Sequence, residues 1–68
     1  MDKLEFLTQS TKLLAELVQE LQDQINNAQE GIKEGSSSLI IGSLYGIGNI
    51  AQHIESIYNT MVFISRHK

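Results

Sequence analysis

Sixty-eight residues, 41% of them apolar and 19% charged, make at most one domain and one that folds rather than stays disordered. The absence of cysteine excludes disulfides and cysteine-based metal sites. A formal charge of -3 with only five basic residues excludes the clustered Lys and Arg that phosphate binding requires. Cores of fewer than about 70 residues seldom stabilise themselves without a staple, so oligomerisation or a protein partner is the staple left to this chain.

The chain opens on MDKLEFLTQS, which is acidic and amphipathic and lacks the basic-then-apolar order of a secretory leader; the expectation is a soluble, cytoplasmic protein. Helix 1 is predicted over about 2–33. Leu4, Leu7, Leu14, Val18, Leu21, Ile25, Ala28 and Ile32 alternate at spacings of three and four, interrupted only at Thr11, which is the seam of a heptad repeat. A second stripe, Phe6, Leu13 and Leu17, widens the apolar face of the first half beyond what one neighbouring helix covers. The second half, QDQINNAQEGIKE, is narrower and polar.

A break is predicted over 34–38. Gly35 can adopt the left-handed conformation that ends a helix, any of Ser36, Ser37 and Ser38 can cap the next one, and Gly31 offers an earlier stop. So short a connection between two long helices implies an antiparallel hairpin.

Helix 2 is predicted over about 39–66. Its apolar stripe comprises Ile40, Leu44, Ile47, Ile50, Ala51, Ile54, Ile57, Tyr58, Met61 and Ile64, widened near the C-terminal end by Val62 and Phe63. In the hairpin that end lies beside Phe6, Leu13 and Leu17, so the open end is the predicted docking surface and the turn end is expected to be solvated. From Gly35 through Ser65 the only formal charge is Glu55. Behind the stripe, Gly42, Gly46, Asn49, His53, Ser56 and Thr60 share one small, neutral face. Glycines inside a helix cost about 1 kcal/mol each relative to alanine. Close approach of another helix would offset that cost; a kinked segment over LIIGSLYGIG, with the regular helix starting near Asn49, is the other reading. The partner-binding candidates are Phe6, Leu13 and Leu17 on helix 1, with Gly42, Gly46, Asn49, His53, Tyr58, Val62 and Phe63 on helix 2.

A membrane-embedded GxxxG pair is a third reading, but the uncharged stretch is broken by Ser36, Ser37, Ser38, Asn49, Gln52 and His53, well short of the roughly 20 apolar residues a span needs. No catalytic constellation is legible. His53 has no carboxylate one helical turn away, His67 belongs to a basic tail, Arg66-His67-Lys68, and no base stands near the serines. Neither a cofactor nor a metal is expected, and the chain is not expected to be an enzyme.

The layout has a family likeness. Leu4-Glu5 opening helix 1, a Leu-rich heptad through Leu21, a glycine-containing turn after Lys33-Glu34, and a second helix running from Ile54-Glu55 to Ile64-Ser65-Arg66 resemble the small acidic co-chaperones of type III secretion needle subunits. The likeness covers most of the chain and rests on length, hairpin layout and stripe positions. It implies a two-helix protein that binds a helical-repeat chaperone and with it keeps the needle subunit from polymerising. The residues read by themselves leave two alternatives open: a homo-oligomeric regulator or inhibitor built as a four-helix bundle, and a membrane-active hairpin. All of these share one fold class, all-α, a hairpin whose core is completed by a second molecule.

Overall fold

The structure is a computed structural model and describes residues 2–67. Helix α1 spans Lys3–Glu34 and helix α2 spans Ser37–Arg66. The two pack against each other as an antiparallel hairpin, and the Lys3 Nζ donates to the carbonyl of His67 across its open end (3.1 Å).

Both helices start and stop on recognisable local chemistry. Asp2 caps α1: its carboxylate accepts from the Glu5 amide at 2.7 Å. Asp2 and Glu5 also have the spacing of a capping box. At the other end Gly35 takes φ 71°, and the Ser36 and Gly35 amides donate to the carbonyls of Gly31 (2.9 Å) and Ile32 (3.2 Å), a Schellman closure. Ser36 then caps α2, its hydroxyl accepting from the Leu39 amide at 3.3 Å. The connection is thus two residues, Gly35 and Ser36. Gly31, which offered an earlier stop, lies inside α1. The segment LIIGSLYGIG is regular helix rather than a kink.

So short a link forces the helices together at the turn, and Gly31 records how closely. A Cβ built on it would lie 3.0 Å from Ile40 Cγ1 and 3.1 Å from the Ile40 backbone nitrogen. Gly31, Ala28 and Ser43 are all buried here, so the turn end expected to be solvated is the tightest part of the hairpin. With Gly31 pointing inward, the heptad phase of α1 is fixed. The seam runs through Leu7, Ser10, Leu14, Leu17, Leu21, Gln24, Ala28 and Gly31, facing Ile40, Ser43, Ile47, Ile50, Ile54, Ile57, Met61 and Ile64. None of these is exposed.

This phase differs from the predicted one at every second position. Leu4, Val18 and Ile32, expected in the seam, are 76%, 55% and 67% exposed, and Leu44 and Tyr58 of the predicted α2 stripe are 56% and 59% exposed. Ser10, Leu17, Gln24, Gly31 and Ser43 occupy the seam instead. Periodicity weighs bulk alone, whereas the turn admits only small residues at its own end. That requirement sets the rotation for the whole length.

Candidate interaction surface

The seam divides the hairpin surface into two flanks. One is the flank of Phe6 and Leu13. Here Phe6, Ser10 and Leu13 of α1 and His53, Ser56, Ile57 and Thr60 of α2 line a shallow groove near the open end. Phe6 and Ile57 are half-buried, and the others are open to solvent except Ser10. Acidic groups of α1 continue the flank from the groove toward the turn: Glu20 lies one heptad beyond Leu13 in the same row, and Glu16 and Asp23 lie in the next row out, all exposed. The flank is therefore apolar at its centre and acidic along its α1 edge.

Of the predicted contact residues, Phe6, Leu13 and His53 meet in this groove. Gly46 shares the flank and is already covered from within: a Cβ there would sit 3.0 Å from the Gln24 side chain. The close approach inferred for the glycine row is thus partly internal, made by Gln24 rather than by a second molecule. Gly42 and Asn49 are exposed on the outer edge of the same flank, with nothing within 4 Å of a Cβ built on Gly42. Phe63 follows two heptads after Asn49 in that edge row, 65% exposed, its ring stacked on His67 at 5.7 Å. Lys68 of the basic tail lies outside the described residues.

Three of the candidates fall elsewhere. Leu17, expected on the outer stripe, is one of the most buried apolar side chains of the hairpin at 6% exposure and is turned into the seam, where it cannot meet a partner. Tyr58 and Val62 belong to the opposite flank.

Of that opposite flank only Tyr58 and Val62 are among the contact residues predicted from the sequence. On α1 it consists of the row Leu4, Thr11, Val18, Ile25 and Ile32, followed outward by Thr8, Ala15, Gln22 and Gln29. On α2 it consists of Leu44, Ala51 and Tyr58, with Ile41, Gly48, Glu55 and Val62 beside them. Glu55 is the single ionic residue among these. The charges of α1 from Glu5 onward lie in the other rows, all exposed to water. The hairpin thus carries one flank edged with acid and one nearly free of charge. Tallying charge along each heptad row of the sequence would have separated them, because the α1 row through Val18 and the one outside it contain none.

Among the described residues no cluster of three or more His, Cys, Asp or Glu side chains is arranged to hold a metal, and no helix is long and apolar enough to cross a membrane. The surface offers helix faces and shallow grooves. Comparison of the chain with protein-family models, with curated proteins and with solved structures finds no match.

Proposed function

We propose that this chain is a non-enzymatic protein-binding module that works by lending helix surface to a partner. The observation that supports the reading is how little the hairpin encloses. Helices of 32 and 30 residues bury only Leu17 and Ala28 among their apolar side chains, while nine large ones, Leu13 and Phe63 included, stay exposed among the described residues. Exposed apolar surface on such a scale marks an interaction site. The surface for a different protein is the flank of Phe6, Leu13, His53 and Phe63. Its acidic α1 edge at Glu16, Glu20 and Asp23 favours a helical partner whose apolar face is bordered by Lys or Arg.

The particular role proposed is that of a cytoplasmic type III secretion co-chaperone, which with a helical-repeat chaperone keeps the needle subunit soluble and unpolymerised. The mechanism is occlusion: apolar helix surface that would otherwise nucleate assembly is covered, at about 25 cal/mol per Å² removed from water. The test is co-expression of the full chain with a needle subunit and its helical-repeat chaperone. The expected result is one co-purifying complex in which the needle subunit stays monomeric, lost in Leu13→Glu. Needle polymerisation that proceeds equally with and without the chain, and no complex on purification, would overturn the role.

A further inference from the structure

The nearly charge-free flank is left unpartnered by the hairpin, and its exposed apolar residues and lack of charge point to its occupant. The hairpin register is given by Gly31 opposite Ile40, Gln24 beside Gly46 and Lys3 reaching His67, pairs whose numbers add to 71, 70 and 70. Val18 of α1 and Ala51 of α2 are therefore nearly level, at mid-length.

About that level the large exposed apolar residues of the flank pair off. On α1, Leu4 and Ile32, both exposed, stand equally far on either side of Val18, with exposed Thr11 and half-buried Ile25 between. On α2, Leu44 and Tyr58 stand equally far on either side of Ala51, with Ile41 and Val62 beyond them. We propose that this flank is the interface between two copies of the chain, related by a two-fold axis at the level of Val18 and Ala51, with the turns at opposite ends of an antiparallel four-helix bundle. The inference deepens the protein-binding reading above and leaves the Phe6 and Leu13 flank free for a different partner.

Four features of the flank favour a second copy. An isologous contact sets every residue against its two-fold mate, so like charges repel and an uncharged face is self-compatible. Glu55, the one charge, stands four residues from Ala51, which places the two copies of it roughly 12 Å apart along the helices, beyond a Debye length at physiological salt. The mate of Glu55 is close to Gly48, where a Cβ would find nothing within 4 Å. That open space lets the carboxylate bend toward water.

Shape follows the same symmetry. Ile41, Leu44 and Tyr45 line a surface hollow. The two-fold lays Tyr58 and Val62 of the other copy over it, large side chains into a depression. At the rim, Glu5 of one copy comes within about 3 Å along the helix of the level of Lys33 of the other, opposite charges in the same outer row. Size agrees as well: a hairpin 52 Å long and 15 Å wide presents a footprint on the order of 800 Å², the area per partner of a standard stable interface.

The test uses the full chain alone. Light scattering coupled to gel filtration is expected to give twice the chain mass, falling toward the monomer on dilution. Val18→Glu and Leu44→Glu are expected to weaken the dimer at least tenfold while helical content is kept, and Leu13→Glu, on the other flank, to leave it intact. Because the chain has no cysteine, Ala51→Cys gives an independent probe in a folded background: mild oxidation should link two chains through the axis, whereas Asn27→Cys, exposed in the Leu13 row of the other flank, should not link. A monomer at all concentrations, or a dimer broken by Leu13→Glu and not by Leu44→Glu, would overturn the assignment, as would equal cross-linking of the two cysteine variants. Loss of the dimer leaves the needle-subunit experiment standing, and failure of that experiment with an intact dimer removes only the co-chaperone role.

Discussion

Replacing Gly31 and Gly42 by alanine, one at a time, should move stability in opposite directions, although helix propensity alone favours both changes by about 1 kcal/mol. At Gly42 a Cβ meets nothing within 4 Å, so the whole gain is kept and the hairpin should be stabilised by about 1 kcal/mol. At Gly31 the new Cβ lies 3.0 Å from Ile40 Cγ1, 3.1 Å from the Ile40 nitrogen and 3.2 Å from Leu39 Cγ. A side chain can yield by a few tenths of an ångström. The Ile40 nitrogen cannot, because its N–H donates to the Ser36 carbonyl at 3.0 Å and Ser36 is held by the two-residue turn. Overpacking of this kind costs ~1–3 kcal/mol, which outweighs the propensity gain and leaves a net loss of about 1 kcal/mol. The two variants should therefore differ by about 2 kcal/mol, or roughly 10 °C in melting midpoint for a domain of this size. Thermal unfolding followed by circular dichroism, at one protein concentration for all variants, reads the difference. If Gly31→Ala is stabilised as much as Gly42→Ala, the helices are not in near contact at the turn, and the heptad phase derived from that contact is wrong.

Leu17→Ala should cost about 2–3 kcal/mol and Leu13→Ala well under 1 kcal/mol in urea unfolding, since the first empties a buried seam position and the second trims a largely exposed one; equal costs would return Leu17 to the outer stripe. Asp2→Ala and Ser36→Ala should each lose about 1 kcal/mol through their caps, and a neutral Ser36→Ala would mean that its hydroxyl does not hold the start of α2. Gly35→Ala should cost about 1–2 kcal/mol, because its φ of 71° is a left-handed conformation that a Cβ opposes; an unchanged midpoint would argue against the Schellman closure. With a dimer as the folded species, a hundredfold rise in concentration should raise the melting midpoint by about 10 °C, whereas a monomeric hairpin would melt independently of concentration.

The hairpin was legible in the sequence because its signals are local. Apolar spacing marked both helices, and Gly35 with the adjoining serines marked the turn, so the predicted limits fall within two residues of those observed. The phase was not legible in that way. Leu4, Val18, Ile25 and Ile32 make a better hydrophobic row than Ser10, Leu17, Gln24 and Gly31, and bulk alone selects the former. Which row faces inward is decided by a contact between the two helices across the turn, Gly31 against Ile40. The one available clue was that Gly31 and Ala28 stand three residues apart just before the break, where two helices joined by so short a link must nearly touch. Leu17 was misplaced for the same reason, since it belongs to the Gly31 row. The groove that joins Phe6 and Leu13 to His53 is not legible either: by spacing alone His53 belongs to the neutral row behind the α2 stripe, and the observed phase turns that row toward Phe6.

The rotation that buries Gly31 also carries Ile32 outward, and with it Val18 and Leu4 at intervals of two heptads. The exposed row on α1 is thus a consequence of the tight turn rather than an independent feature. Had the bulky row faced inward, Ile32 would stand where Gly31 now meets Ile40, and a connection of Gly35 and Ser36 alone could not bridge helices held that far apart. The seam that results contains Ser10, Gln24, Gly31 and Ser43 and cannot by itself supply a large apolar core. Six of the exposed side chains that could extend it, Leu4, Val18, Ile32, Ile41, Leu44 and Tyr58, stand on one flank, where Glu55 is the single ionic residue. A short turn and an unfinished core are therefore two results of one packing choice, and covering that flank restores the burial the hairpin forgoes. Lengthening the connection by two or three flexible residues should accordingly let α1 rotate toward its bulkier row, making the hairpin less dependent on a second copy.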